Sequence, residues 1–288
     1  QSNQIKLIIS DTWKSLELAT THLNEKKIPI ICLAHGNDIL TNEPKKLERI
    51  KRTLNNCTSI IANSRFTLNL IKKLSLNNNN LGYIYPGAED LREINVDKFI
   101  DLDGKPLLLT LARLEKRKGH FQIIKLIKEL IKYFPNLKYI IAGDGPEKTK
   151  LKKLVDDYKL SSNIFFVGSV NLSQKKFLFE NADLMIMPTI DESVNRSIEG
   201  FGITYLEAAF FSVPSIASNI GGTPEAVLHE KTGIIIDDFD ALYDHTIELL
   251  NNKSKLEFLG KNAQIRAINE FKWENVINHY YKLFKSMQ

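Results

Sequence analysis

Cysteine is nearly absent from this chain, with only Cys32 and Cys57 among 288 residues. Both sit beside apolar neighbours, so they read as buried free thiols of a reducing compartment. Neither a disulfide framework nor a Cys-rich metal site can be built from them. Long apolar runs are missing as well. None approaches the about 20 residues that a membrane-spanning helix needs, and no stretch reads as a signal peptide. Charge of one sign is not concentrated either: Lys and Arg number 39 against 34 Asp and Glu, a net charge of +5. No basic stripe interleaves with aromatics, which argues against a nucleic-acid partner. HExxH, GxSxG and Walker motifs do not occur, so a zinc hydrolase, a serine hydrolase and a P-loop ATPase are unsupported. A cytoplasmic protein is expected.

The chain does have many short apolar runs rich in Ile, Leu and Val. They fall at 5–9, 28–34, 58–62, 81–85, 107–112, 137–142, 164–167, 184–187, 213–217 and 233–236. Continuous rather than alternating apolarity marks strands buried on both faces. Segments with helical spacing lie between them, at 13–24, 44–55, 66–74, 120–134, 147–158, 174–179 and 241–250, with two more at 255–268 and 273–285. Strands alternating with helices predict an α/β protein with parallel sheets. A polar, strand-poor stretch at 89–105 breaks the rhythm. It divides the chain into residues 1–95, 96–270 and a C-terminal helix at 271–288 that is expected to pack back on the first part. The chain begins at Gln1 rather than Met and runs almost at once into the apolar 5–9 segment. That reads as a cut inside a larger protein, with the first domain truncated.

One stretch carries the chemistry: Glu199-Gly200-Phe201-Gly202-Ile203-Thr204, followed by Glu207. A helix starting near Gly202 or Ile203 would aim free N–H groups and a positive dipole end at an anion. Glu207 lies one turn inside that helix, within reach of hydroxyls beside the anion, and Glu199 stays in the loop. Ligands of open α/β sheets bind at strand ends, which singles out the residues that follow the apolar runs. Residues 107–112 lead into Arg113 and Lys118, two cations able to grip phosphate oxygens. Residues 28–34 end at His35-Gly36, an imidazole that could donate to an anion or a sugar hydroxyl. Gly168 ends another strand, where a flat base could lie on the backbone. Gly143-Asp144-Gly145-Pro146 lacks a third glycine and reads as a tight turn, with Pro146 opening a helix. The paired Gly221-Gly222 either approach a ligand closely or shape a short helix. Asp101-Leu102-Asp103 and Asp238-Phe239-Asp240 resemble metal-binding pairs but fall in a linker and before a helix, so they read as structural. The basic segment 44–55, with Lys45, Lys46, Arg49, Lys51 and Arg52, is either a solvated face or a contact with an anionic membrane.

Taken in order, these residues resemble the retaining glycosyltransferases of family GT4, which have the GT-B fold. Arg113 and Lys118-Gly119 look like that family's diphosphate pair, and Glu199 to Glu207 looks like its E-x7-E signature. Gly221-Gly222-Thr223-Pro224-Glu225-Ala226-Val227 followed by Gly233 matches the next block. Tyr85-Pro86-Gly87 and the 199–209 segment are closest to the phosphatidylinositol mannosyltransferase-like branch. The resemblance implies two Rossmann-like doubly wound domains facing a cleft. It also implies a nucleoside-diphosphate sugar as donor, GDP-mannose ahead of a UDP-sugar, with no cofactor and no metal required. By resemblance Glu207 holds the ribose and Glu199 the transferred sugar. Arg113, Lys118 and the backbone at Gly202, Ile203 and Thr204 hold the diphosphate, Phe201 belongs to the donor-binding set, and His35 reaches over from the first domain toward the sugar. The implied acceptor is a glycan or a lipid-linked group, on an enzyme that contacts the inner face of the membrane peripherally. The rival readings are a donor-binding fragment without activity and another GT-B enzyme such as a sugar-nucleotide epimerase. The sequence departs from the family at Ser212, where glycine is usual.

Overall fold

The computed structural model describes residues 5–23, 28–77, 80–96 and 98–286. Asn24, at the end of the first expected helix, lies outside them. The first half runs β1 (Ile8–Ser10), α1 (Trp13–Leu23), β2 (Ile30–Ala34), α2 (Gly36–Ile39), α3 (Pro44–Asn55), β3 (Ser59–Ala62), α4 (Arg65–Lys72) and β4 (Leu81–Tyr83). The second runs β5 (Leu107–Leu111), α5 (His120–Leu130), β6 (Lys138–Ala142), α6 (Lys148–Asp157), β7 (Ile164–Gly168), α7 (Leu172–Asn181), β8 (Leu184–Met187), α8 (Ile203–Ala209), β9 (Ser215–Ser218), α9 (Thr223–Ala226) and β10 (Gly233–Ile236). It closes with α10 (Asp240–Asn251), α11 (Lys253–Arg266) and α12 (Trp273–Lys285).

Every expected strand is present, and all pairings between named strands are parallel. The first sheet has the order β1-β2-β3-β4 and the second β10-β9-β8-β5-β6-β7. The second is doubly wound, with its order reversing between β5 and β8. Alternate residues of its strands feed two cores, as period-2 geometry requires. Leu109, Ile140, Met185 and Met187 pack with Phe179, Leu206 and Phe210 on one face. Leu108, Ile141, Ile186 and Ile216 pack with Ile123, Ile127, Val155 and Leu249 on the other. A third core, around Trp13, Ile50, Leu54 and Ile60, covers the first sheet. Cys32 and Cys57 are buried in it as free thiols.

Ends of elements are where the sequence reading needs correction. Pro146 does not open a helix; it stands two residues ahead of α6. Its glycine neighbours serve packing instead: a side chain at Gly145 would meet the Leu114 carbonyl oxygen at 2.6 Å, and Leu114 N–H donates to Asp144 O at 2.9 Å. This turn is the floor of the loop that carries Arg113 and Lys118. Ser212, where the family usually has glycine, takes φ +59°, which places an L side chain in left-handed backbone. Asp238 accepts from Ala241 N–H at 3.0 Å at the start of α10, and Asp101 pairs with Lys98. Beyond the second sheet the chain returns to the first: Ala88 N–H donates to Phe271 O at 2.8 Å, and the Trp273 ring covers Gly87.

Ser212→Gly removes a left-handed strain of about 1 kcal/mol, offset in part by a freer unfolded chain. The midpoint of urea unfolding should therefore rise without a change in slope.

Candidate active site at the switch point of the second sheet

The reversal between β5 and β8 opens a crevice at their carboxyl ends, where open α/β sheets bind ligands. The register is tied by the Thr110 hydroxyl, which donates to Ile186 O across the two strands. The exit of β5 turns through a short 3₁₀ segment, Lys116–Lys118, before α5. The exit of β8 is held against it by Ile190 N–H donating to Arg117 O at 2.7 Å. It then runs on to Glu199 and α8.

Glu199 is the centre of this crevice. Its Oε2 accepts from Lys118 Nζ at 2.5 Å and from Arg117 NH1 at 2.8 Å. Lys118 is only 8% exposed. Burial pushes the Glu199 carboxyl up, but the charges of Lys118 and Arg117 outweigh it and hold the group below its ordinary value. Burial pulls the Lys118 ammonium down; Glu199 opposes this and Arg117 reinforces it. Arg117 also donates through Nε to Glu115 Oε2 at 3.1 Å, and Glu115 pairs in turn with Arg113. Three cations, Arg113, Arg117 and Lys118, thus share two carboxylates at the crevice, a net positive setting that favours an anionic ligand.

The Glu199 segment is wedged in place from behind. Side chains at Gly221 and Gly222 would lie 2.1 and 2.0 Å from the carbonyl oxygens of Glu199 and Gly200. The paired glycines thus do make a close approach, to this backbone. Gly202 takes φ +98° as the residue before α8, and a Cβ there would sit 2.5 Å from the Tyr205 ring. Tyr205 in turn donates its hydroxyl to Met187 O at 2.6 Å, so α8 is pinned to the end of β8. No side chain caps α8, leaving the first-turn N–H groups at Ile203 and Thr204 without intrahelical acceptors. Ile203 is 43% exposed at that end.

Glu207 lies one turn further along α8, 6% exposed. Its Oε1 accepts from Lys175 Nζ of α7 at 2.7 Å. Burial raises its carboxyl, Lys175 counters, and the charge of Glu89 adds to the rise. The two glutamates of the signature thus sit in opposite electrostatic settings. Gly168 ends β7 with φ +72° and no heavy atom near its Cβ position, an open ledge on the same sheet edge. His35 follows β2, exposed, and the two residues after it touch the Glu199 segment from the other half. A Cβ at Gly36 would lie 3.3 Å from Gly200 Cα, and Asn37 Oδ1 accepts from Ile198 N–H at 2.7 Å.

The side chains of two expected site residues stand outside the Glu199 cluster. Arg113 is not on Glu199; its side chain is 74% exposed and paired with Glu115 at 3.0 Å. The Phe201 side chain faces inward rather than toward a ligand, stacked on Tyr85 at 5.0 Å and tilted on Phe271 at 5.9 Å, so only its backbone borders the crevice. Two functional candidates were missed, Arg117 and Lys175. Arg117 stood in the basic loop, but nothing in one sequence says which cation of Lys116, Arg117 and Lys118 turns inward. Lys175 gave no signal beyond helical spacing.

The family model for glycosyl transferases group 1 matches residues 92–266, a span that includes every second-half residue of this crevice. The chain belongs to this family. Among curated members of related sequence is the GDP-mannose-dependent alpha-(1-6)-phosphatidylinositol monomannoside mannosyltransferase of Mycobacterium tuberculosis, 28% identical over 205 residues, which cover 68% of this chain and 53% of that one. Another is the 2-deoxystreptamine N-acetyl-D-glucosaminyltransferase of Niallia circulans, 26% identical over 190 residues, 65% of this chain and 47% of that one. The chain spans about half the length of these curated relatives. Anabaena Alr3699/HepE, solved in complex with UDP, superposes with a TM-score of 0.82 at 19% identity, over 98% of this chain and 79% of that one. This member of the group 1 family therefore has the GT-B fold of two parallel-sheet α/β domains. None of its described helices is long and apolar enough to cross a membrane.

Replacing Glu199 by Gln leaves the buried Lys118 ammonium without its carboxylate, while Arg117 keeps Glu115; removing one partner of a buried pair costs about 3 kcal/mol. The sign with pH follows from the depressed carboxyl. Its contribution is full above the ordinary glutamate value near 4.5 and is lost as pH falls through the lower native value. Urea titrations of wild type and Glu199→Gln should differ most at neutral pH and converge below about pH 4.5.

Proposed function

We propose that this group 1 transferase moves a hexose from a nucleoside-diphosphate sugar to a glycan or lipid-linked acceptor, with retention at the anomeric carbon. The observation that carries this reading is the pair of buried cations, Lys118 and Arg117, held on one carboxylate at the switch point. The working division is residues 1–95 for the acceptor side, 96–270 for the donor and 271–288 as the returning helix. Lys118 and the backbone at Gly202, Ile203 and Thr204 take the diphosphate, and Arg113, bound only through an exposed pair worth little, swings in to join them. Glu207 has Oε1 on Lys175 and Oε2 left for the ribose diol. The base lies on Gly168, and Glu199 and His35 face the sugar from opposite walls.

Chemistry then needs one bond broken and one made. The bond from the anomeric carbon to the terminal phosphate oxygen breaks, and its electron pair leaves with the diphosphate. The acceptor hydroxyl oxygen bonds to the same face of that carbon and passes its proton to a leaving phosphate oxygen. Fixed cations stabilise the charge as it develops, because they are already oriented and desolvated. Glu199 is engaged by two cations, so it serves as an electrostatic and positioning group rather than as a covalent nucleophile of the glycosidase kind. GDP-mannose is the favoured donor ahead of a UDP-sugar. The mannosyltransferase relative supports the first and the UDP complex of the structural neighbour supports the second. A cytoplasmic enzyme that touches the inner face of a membrane, in part through the basic face of α3, suits a lipid-linked acceptor.

A thermal-shift screen should reveal the base: the matching nucleoside diphosphate at about 100 times its dissociation constant stabilises by about 2.7 kcal/mol. Transfer of labelled sugar should fall at least 100-fold in Lys118→Ala; a wild-type rate in that variant would refute the diphosphate assignment.

A further inference from the structure

The loops after β2 and β3 meet the Glu199 segment directly, so the two halves touch at the crevice itself. Gly36 and Asn63 both press on Gly200, and Asn37 caps Ile198 N–H. At the rim Asn42 donates to Val194 O at 3.4 Å, and Arg196 pairs with Glu43. That rim pair is about half exposed on both sides and holds little.

One contact differs in kind. Glu225, in α9, accepts from Arg65 N–H and from Phe66 N–H, each at 2.8 Å and each through its own oxygen. These amides open α4 in the other half. They are donors that no intrahelical carbonyl can satisfy, at the positive end of that helix. The third, Thr67 N–H, is taken at 3.0 Å by the Ser64 hydroxyl. The first turn of α4 is therefore capped jointly, by its own N-cap and by a carboxylate from across the molecule. Charge-assisted bonds of this type are the stronger class.

Glu225 is also rigidly linked to the crevice. Arg266 of α11 donates to its carbonyl and to that of Ala226, both at 2.9 Å. Gly222 N–H, three residues earlier, donates to Glu199 O at 2.9 Å. The Tyr85 ring stacks on Phe201, and its hydroxyl is raised to about 12 by burial and by the neighbouring Glu225 charge. Gly36 lies against both Thr67 of α4 and Gly200, so a displacement of α4 away from Glu225 would carry the His35-Gly36-Asn37 loop away from the Glu199 segment.

We propose that Glu225 is a positioning residue that latches the two halves by capping α4, and so holds the His35-Gly36-Asn37 loop on the Glu199 segment. The latch rests on the transferase reading only for its purpose; its existence is a matter of geometry. Turnover in Glu225→Ala should fall at least tenfold. Nucleoside-diphosphate affinity should stay within twofold of wild type, because the donor cradle lies in one half. Glu225→Gln, which keeps one acceptor oxygen, should recover part of the rate. In the full chain, spin labels placed through Asn55→Cys and Lys261→Cys should report a longer and broader separation in Glu225→Ala. Amide exchange at Arg65 and Phe66 should accelerate at least tenfold. If Glu225→Ala does not fold, Glu225→Gln carries the same readings. An unchanged separation with unchanged exchange overturns the latch, and so does a parallel loss of nucleotide affinity and thermal stability, which marks a merely structural role. Should the wild type transfer no sugar at all, the transferase reading fails, while separation and exchange still decide the latch.

Discussion

One carboxylate holding two cations out of water is the constraint on which the rest of the second half depends. Desolvating an ammonium or a guanidinium is costly, and a buried ion pair recovers that cost only with good geometry and further hydrogen bonds. The surrounding structure supplies the geometry. The Gly143-to-Pro146 turn props the cation loop from below. The paired glycines at 221 and 222 let a second loop press on the Glu199 backbone, and Tyr205 pins α8 to the end of β8. Each device brings backbone or side chain closer than an ordinary residue would allow. With Glu115 shared between Arg117 and Arg113, three cations meet two carboxylates and the cluster remains net positive, so the site is poised for an anion.

The two glutamates of the signature show how environment divides the roles of like residues. Glu199 is held below its ordinary range by two cations, despite burial. Glu207 is pushed above it by burial, with a single lysine opposing. Pairs of titratable groups driven apart in this way mark distinct tasks at one site. A carboxylate fully engaged by cations orients charge. One with a free oxygen beside a helix start can accept hydroxyl hydrogen bonds.

Much of this was legible in the chain, and what was not has specific causes. Strands buried on both faces write themselves as continuous apolar runs, so all ten were found, although β1 starts three residues later than its apolar run. The glycine spacing between Glu199 and Glu207 reflects backbone that only glycine can adopt or fit, which is why that stretch stood out. Side-chain direction is not written locally. Arg113 and Arg117 lie in one loop, but a 3₁₀ turn aims Arg117 inward and leaves Arg113 in solvent. Phe201 looked like a ligand neighbour because it sits between two functional glycines, yet Tyr85 and Phe271 claim its ring. Contacts between the halves, such as Glu225 on α4, span about 160 positions, and no single sequence carries a signal at that range.

The central claim is that the Lys118–Arg117–Glu199 cluster exists to receive a diphosphate. The most direct measurement is a crystal structure of the chain with the nucleoside diphosphate that stabilises it best. The expected result places the terminal phosphate within hydrogen-bond reach of Lys118 Nζ and of the first amides of α8, with the ribose on Glu207. A diphosphate bound elsewhere, with Lys118 and Arg117 still closed on Glu199 and no phosphate oxygen near them, would contradict it.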